Sequence, residues 1–73
     1  MKIYDFLLEK FIEMGFQEQE LLGKEEFYEL NLSSLEKVDL ILAIQEKYGV
    51  TLELAELESM NIDTLEKYIS RRE

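Results

Sequence analysis

Ile3, Leu7, Phe11 and Met14 recur at spacings of four, four and three, and Phe6 and Leu8 widen the same stripe. That is the period of one face of an α-helix, and it predicts a helix over residues 2–14. Gly15 follows as a left-handed stop, with Phe16 placed to fold back on the last turn. The period returns after Ser33. Leu35, Val38, Leu42 and Gln45 form one row and Ile41, Ile44 and Tyr48 lie beside it, so a second helix runs from near Ser33 to about Tyr48 and ends at Gly49. A last helix begins near Asp63, where Glu66 three residues on fits a capping box. Its Leu65, Tyr68 and Ile69 face inward, and Arg71 and Arg72 suit the negative end of its dipole.

Two stretches are less regular. Residues 17–33 are polar and contain Gly23, a Leu21-Leu22 pair and Phe27. A connection that long needs apolar anchors, for which Leu22, Phe27, Leu30 and Leu32 are candidates. Residues 52–58 alternate like a strand, but no second strand is visible to pair with it, so a short helix is expected. The fold class is therefore all-α: three main amphipathic helices plus a short third one around a single core. Phe6, Leu7, Phe11, Val38, Ile41, Ile44, Leu65, Tyr68 and Ile69 are the core candidates, and Tyr4, Tyr28, Tyr48 and Tyr68 read as packing aromatics. Seventy-three residues leave room for one domain, 1–73.

Composition excludes several functions. Asp and Glu number 17 against 8 Lys and Arg, a net charge of -9, so phosphate backbones and anionic membrane surfaces are repelled. A protein partner with a basic patch is the natural expectation. Hydrophobic residues make up 47% of the chain, too many for a disordered acidic tail. There is no Cys and no His, hence no thiolate nucleophile, no imidazole base and no ordinary zinc site. Acid pairs such as Glu25-Glu26 or Glu56-Glu58 lack EF-hand spacing, so no metal site is assigned. The longest apolar run, Leu40 to Ile44, is far short of the ~20 residues of a membrane span. Asp5 and Glu9 interrupt the N-terminal stripe and argue against a signal peptide, so the chain reads as soluble and cytoplasmic.

Ser33-Ser34-Leu35-Glu36 is the segment where chemistry could reside. Ser33 suits an N-cap and Glu36 completes a capping box. Ser34 is then the first helical residue, beside free backbone N–H groups that would welcome a phosphate ester. Taken alone, both serines read as plain helix-start residues.

The wider stretch resembles the signature of acyl carrier proteins, which show a Phe, a Leu-Gly pair, Asp-Ser-Leu and an apolar–acidic–Leu triplet. Phe27, Leu30, Ser34, Leu35, Val38, Asp39 and Leu40 match in register, and Ile62, Asp63, Thr64 and Leu65 resemble the usual opening of the last helix. The resemblance covers nearly the whole chain and implies the family's small four-helix bundle. The region between Tyr48 and Ile62 runs about two residues longer than in typical members, which implies a small loop change there.

It implies further that Ser34 takes 4′-phosphopantetheine from coenzyme A by a phosphopantetheinyl transferase. The arm's thiol would hold acyl or related groups for enzymes of fatty acid, polyketide, nonribosomal peptide or related biosynthesis. The chain would be a monomeric carrier without catalytic activity of its own. The second helix would be the docking face, with Leu35, Glu36, Asp39, Leu42 and Glu46 meeting basic patches on acyl-loading and acyl-transfer enzymes. Against this stands a simple solvated face, with Leu35 and Leu42 packed in the core. Two departures matter. Ser33 stands where the family has Asp, which keeps the cap but removes a charge and leaves open an unmodified carrier-fold adaptor. Asn31 stands where Gly is usual, and Asn tolerates left-handed backbone best after Gly.

So large a surplus of acids in so small a domain adds self-repulsion that salt screens. The melting temperature, followed by circular dichroism, is expected to rise between low and moderate salt; an unchanged value contradicts this.

Overall fold

The computed structural model describes residues 2–22 and 26–73, without the side chain of Tyr28; Gly23 and Glu25 lie outside the described residues. Among the described residues five α-helices follow one another: α1 (Ile3–Glu13), α2 (Glu18–Leu21), α3 (Ser34–Tyr48), α4 (Leu54–Glu58) and α5 (Ile62–Arg72). A 3-10 helix, Phe27–Leu30, stands between α2 and α3. The described residues contain no strand, so the all-α bundle is the fold, and the alternating stretch is helical as α4. The connection expected to be irregular is in part the small helix α2, whose Leu21 is buried while Leu22 is exposed.

α1 ends as its sequence predicts. Gly15 lies at φ 101° and donates to the Ile12 carbonyl at 3.0 Å, and Phe16 N–H donates to the Phe11 carbonyl at 3.0 Å. These two bonds make a Schellman motif, and the Phe16 ring meets Phe11 edge-on at 5.9 Å. Gly49 closes α3 at φ 70°.

The core is built from Leu7 and Phe11 of α1, Leu40 and Ile44 of α3, Leu57 of α4, and Ile62, Leu65 and Ile69 of α5, all nearly or fully buried. α1 packs along α5, and α3 packs on α4. Phe6, Ile41 and Tyr68 are half-buried against this core. Val38 is not a core residue: it is 41% exposed, and Leu40 is the buried side chain. The two are two residues apart, about 200° round a helix, so they cannot share a face. The outer row of Leu35, Val38 and Leu42 thus turns away from the core, and the inner row is centred on Leu40 and Ile44.

α5 also departs from expectation. It starts at Ile62, beside the expected Asp63, but Asp63 is not its cap, and Ile62, Leu65 and Ile69 form its buried row. Asn61 is the cap, its Oδ1 accepting from Thr64 N–H at 2.8 Å. Arg72 lies 3.7 Å from the Tyr68 ring, a cation–π contact on the last turn.

The approach to α3 is pinned from two sides. Phe27 stacks on Phe11 with ring centroids 5.1 Å apart, and its N–H donates to the Met60 carbonyl at 2.8 Å. Leu32, immediately before the cap, is buried. Between these anchors Asn31 reverses the chain at φ 55°, ψ 34°, a left-handed geometry that β-branched side chains resist. In urea unfolding, Asn31→Val is expected to lose ~1–2 kcal/mol. Asn31→Gly is expected to stay within about 0.5 kcal/mol of the parent.

Candidate functional site at the start of the third helix

The two adjacent serines have different fates. Ser33 is the N-cap of α3, with φ -71° and ψ 160°. Its Oγ accepts from Glu36 N–H at 3.1 Å, and Glu36 Oε1 accepts from Ser33 N–H at 2.9 Å. This is the reciprocal capping box that the sequence predicts. The Lys37 N–H goes to the Ser33 carbonyl at 3.1 Å. Among the described residues, the N–H groups of Ser34 and Leu35 at the start of α3 have no such partner.

Ser34 is exposed as the first residue of α3, and among the described residues its hydroxyl has no hydrogen-bond partner. A phosphodiester on Ser34 Oγ would sit beside two open N–H donors at the positive end of the helix dipole. It would extend into solvent without displacing any contact of the fold. The residues present therefore fit a phosphate-linked arm.

The other predicted site residues fall into two groups. Leu35, Asp39, Leu42 and Glu46 stand at spacings of four, three and four, one row along α3, and all four are exposed. Leu35 is 70% and Leu42 49% exposed, which overturns the reading that packs them in the core. Asp39, Leu42 and Glu46 also wall an open groove of about 470 Å³, faced by Lys10 and Glu13 of α1 and by Met14, its C-cap. Glu36 stands apart, because its carboxylate turns back onto the cap. Two residues escape the sequence reading. Val38 joins the exposed row, as its spacing of three from Leu35 and four from Leu42 permits. Lys37 reaches across to α4, where its Nζ meets Glu58 Oε2 at 2.9 Å.

A family model described as a phosphopantetheine attachment site matches residues 7–69. The chain belongs to this family. Phosphopantetheine attachment domains carry 4′-phosphopantetheine covalently, and the protein is a carrier in that sense. The match agrees with the acyl carrier protein resemblance and with the helical fold. Membership implies dealings with a phosphopantetheinyl transferase and with biosynthetic enzymes. No curated protein and no solved structure matches the chain.

Other candidate chemistry is absorbed by the fold. Glu56 accepts from Glu53 N–H at 3.0 Å and from the Tyr68 hydroxyl at 3.3 Å, and Glu58 is paired with Lys37. No group of three His, Cys, Asp or Glu side chains able to hold a metal occurs among the described residues. Nor is any described helix long and apolar enough to cross a membrane. Burial raises the pKa of the Tyr48 phenol, with the Glu73 carboxylate adding to it. Tyr48 ends α3, about 20 Å along the helix from Ser34, too far to act there.

The unequal roles of the serines give a direct prediction. Ser33→Ala is expected to cost about 0.5–2 kcal/mol of unfolding free energy. Ser34→Ala is expected to stay within about 0.5 kcal/mol of the parent. Paired urea titrations measure both.

Proposed function

We propose that Ser34 is the attachment residue and that the protein works as an acyl carrier protein. The observation that carries this is the exposed, unpartnered Ser34 hydroxyl at the first turn of α3, with Ser33 occupied by the cap. The arm's thiol, when attached, holds acyl or related groups as thioesters. The chain contributes what a carrier needs: a hydroxyl for the phosphodiester, a rigid helix to present it, and a face for partners to read. No catalytic step is assigned to its own side chains.

The partner face proposed here is the exposed row of α3. Leu35 and Leu42 supply apolar contact, and Asp39 and Glu46 supply charge for a basic patch on loading and transfer enzymes. Glu36 lends its charge nearby while its carboxylate holds the cap. The enzymes would be those of fatty acid, polyketide, nonribosomal peptide or a related biosynthesis, acting on a carrier in the cytoplasm.

Incubation with coenzyme A and a broad-specificity phosphopantetheinyl transferase, followed by intact mass, tests the attachment. One phosphopantetheinyl group is expected on the parent and none on Ser34→Ala. No gain on the parent, or a gain that survives Ser34→Ala, overturns the assignment. An unmodified chain that still forms a tight, salt-sensitive complex with a basic enzyme would be an adaptor instead. Asp39→Lys and Glu46→Lys are each expected to slow transfer by a partner about two- to fivefold at low salt, with the difference shrinking as salt rises.

A further inference from the structure

Lys37 is in an unusual position for a cation on an acidic helix. It stands three residues after Ser34, so their Cβ atoms are close neighbours on the surface of α3, ~5–6 Å apart in ideal geometry. Helical side chains lean toward the N-terminus, so the Lys37 stem lies over the turn that carries Ser34. The side chain is only 13% exposed, and its ammonium is held at 2.9 Å by Glu58, the last residue of α4. The other lysine of α3, Lys47, is near its far end, over the Phe6 ring. Lys37 is therefore the α3 cation within reach of a group on Ser34, and it is engaged with a different element.

We infer that Lys37 is a positioning residue shared between Glu58 and the phosphodiester on Ser34, so that attachment of the arm loosens α4 from α3. This rests on the assignment of Ser34 above. A phosphodiester carries one negative charge, as Glu58 does, and sits one helical turn back from Lys37. It competes with Glu58 for the ammonium. What holds α4 otherwise is the buried Leu57, the Tyr68–Glu56 hydrogen bond and the bond from Phe27 N–H to the Met60 carbonyl. These keep α4 in place, so the effect is more frequent local opening of α4 rather than its release.

The test compares amide hydrogen exchange of α4 and its flanks, read at Leu57 and Met60, in four proteins: Ser34→Ala and Ser34→Glu, each with and without Lys37→Gln. Ser34→Glu places one negative charge at the site whether or not a transferase accepts the chain. With Lys37 present, exchange is expected to be about two- to fivefold faster in Ser34→Glu than in Ser34→Ala. With Lys37→Gln the difference should vanish. The Lys37 ammonium nitrogen resonance should also shift between Ser34→Ala and Ser34→Glu. Equal exchange in the two Lys37-containing proteins, or a difference that persists with Lys37→Gln, overturns the inference. Intact mass and exchange on the parent after transferase treatment form a separate arm. A parent that gains no mass refutes the Ser34 attachment, while the Ser34→Glu comparison still decides the role of Lys37. A parent that gains the arm without faster α4 exchange refutes the coupling and leaves the attachment standing.

Discussion

The reciprocal bonds between Ser33 and Glu36 are the constraint on which the site depends. They fix where α3 begins, and so which of the two serines is the cap and which opens the helix. With Ser33 as the cap, Ser34 falls at the first helical position and points outward. Leu40 and Ile44 then fall on the inner face. Had the helix started one residue later, Ser34 would be the cap and no longer the first helical residue, while Leu40 and Ile44 would keep their inner face. The cap thus sets where the helix starts, through hydrogen bonds, and the core sets which face turns inward, through burial. The approach is fixed as well, by Phe27 against Phe11, by the left-handed turn at Asn31 and by buried Leu32.

The same logic organises much of the negative charge. Gln17 N–H donates to Glu20, Ser33 N–H to Glu36 and Glu53 N–H to Glu56, so three helices begin on a carboxylate of their own first turn. An acid there meets the positive end of the helix dipole, which offsets part of the repulsion that a net charge of -9 creates. Glu58 is paired with Lys37 and Glu13 lies 3.8 Å from Lys10. Asp39 and Glu46 have no hydrogen bond or ion pair among the described residues, and both lie on the outer row of α3. These two acids, which the fold does not use, are thus on the face proposed for a basic partner.

Much of this was legible in the sequence, because the signals were local. The stop at Gly15, the fold-back of Phe16, the box at Ser33 and Glu36, and the left-handed Asn31 each follow from residues within six positions of one another. The failures were not local. Val38 and Leu40 are both apolar, and only packing against the rest of the core decides which faces inward. α5 begins beside Asp63 as the sequence predicts, but its cap is Asn61 and not the plausible box of Asp63 and Glu66. The buried row that includes Ile62 requires the helix to begin earlier, on Asn61. The Lys37–Glu58 pair spans 21 residues of sequence, a separation at which no spacing rule operates.

α3 carries two apolar rows on opposed faces, and the physics of the second is the more telling. A helix apolar on both sides is ordinarily buried on both, yet Leu35, Val38 and Leu42 face solvent. Exposed apolar side chains on so small a domain gain no core energy and invite association. Asp39 and Glu46 flank them on the same face, which keeps the row soluble by charge rather than by burial. Replacing the row with polar residues would cost the core little, since Leu40 and Ile44 already supply the buried face. The row is therefore spare to the core, and it begins directly after Ser34, where the partner face proposed above needs it.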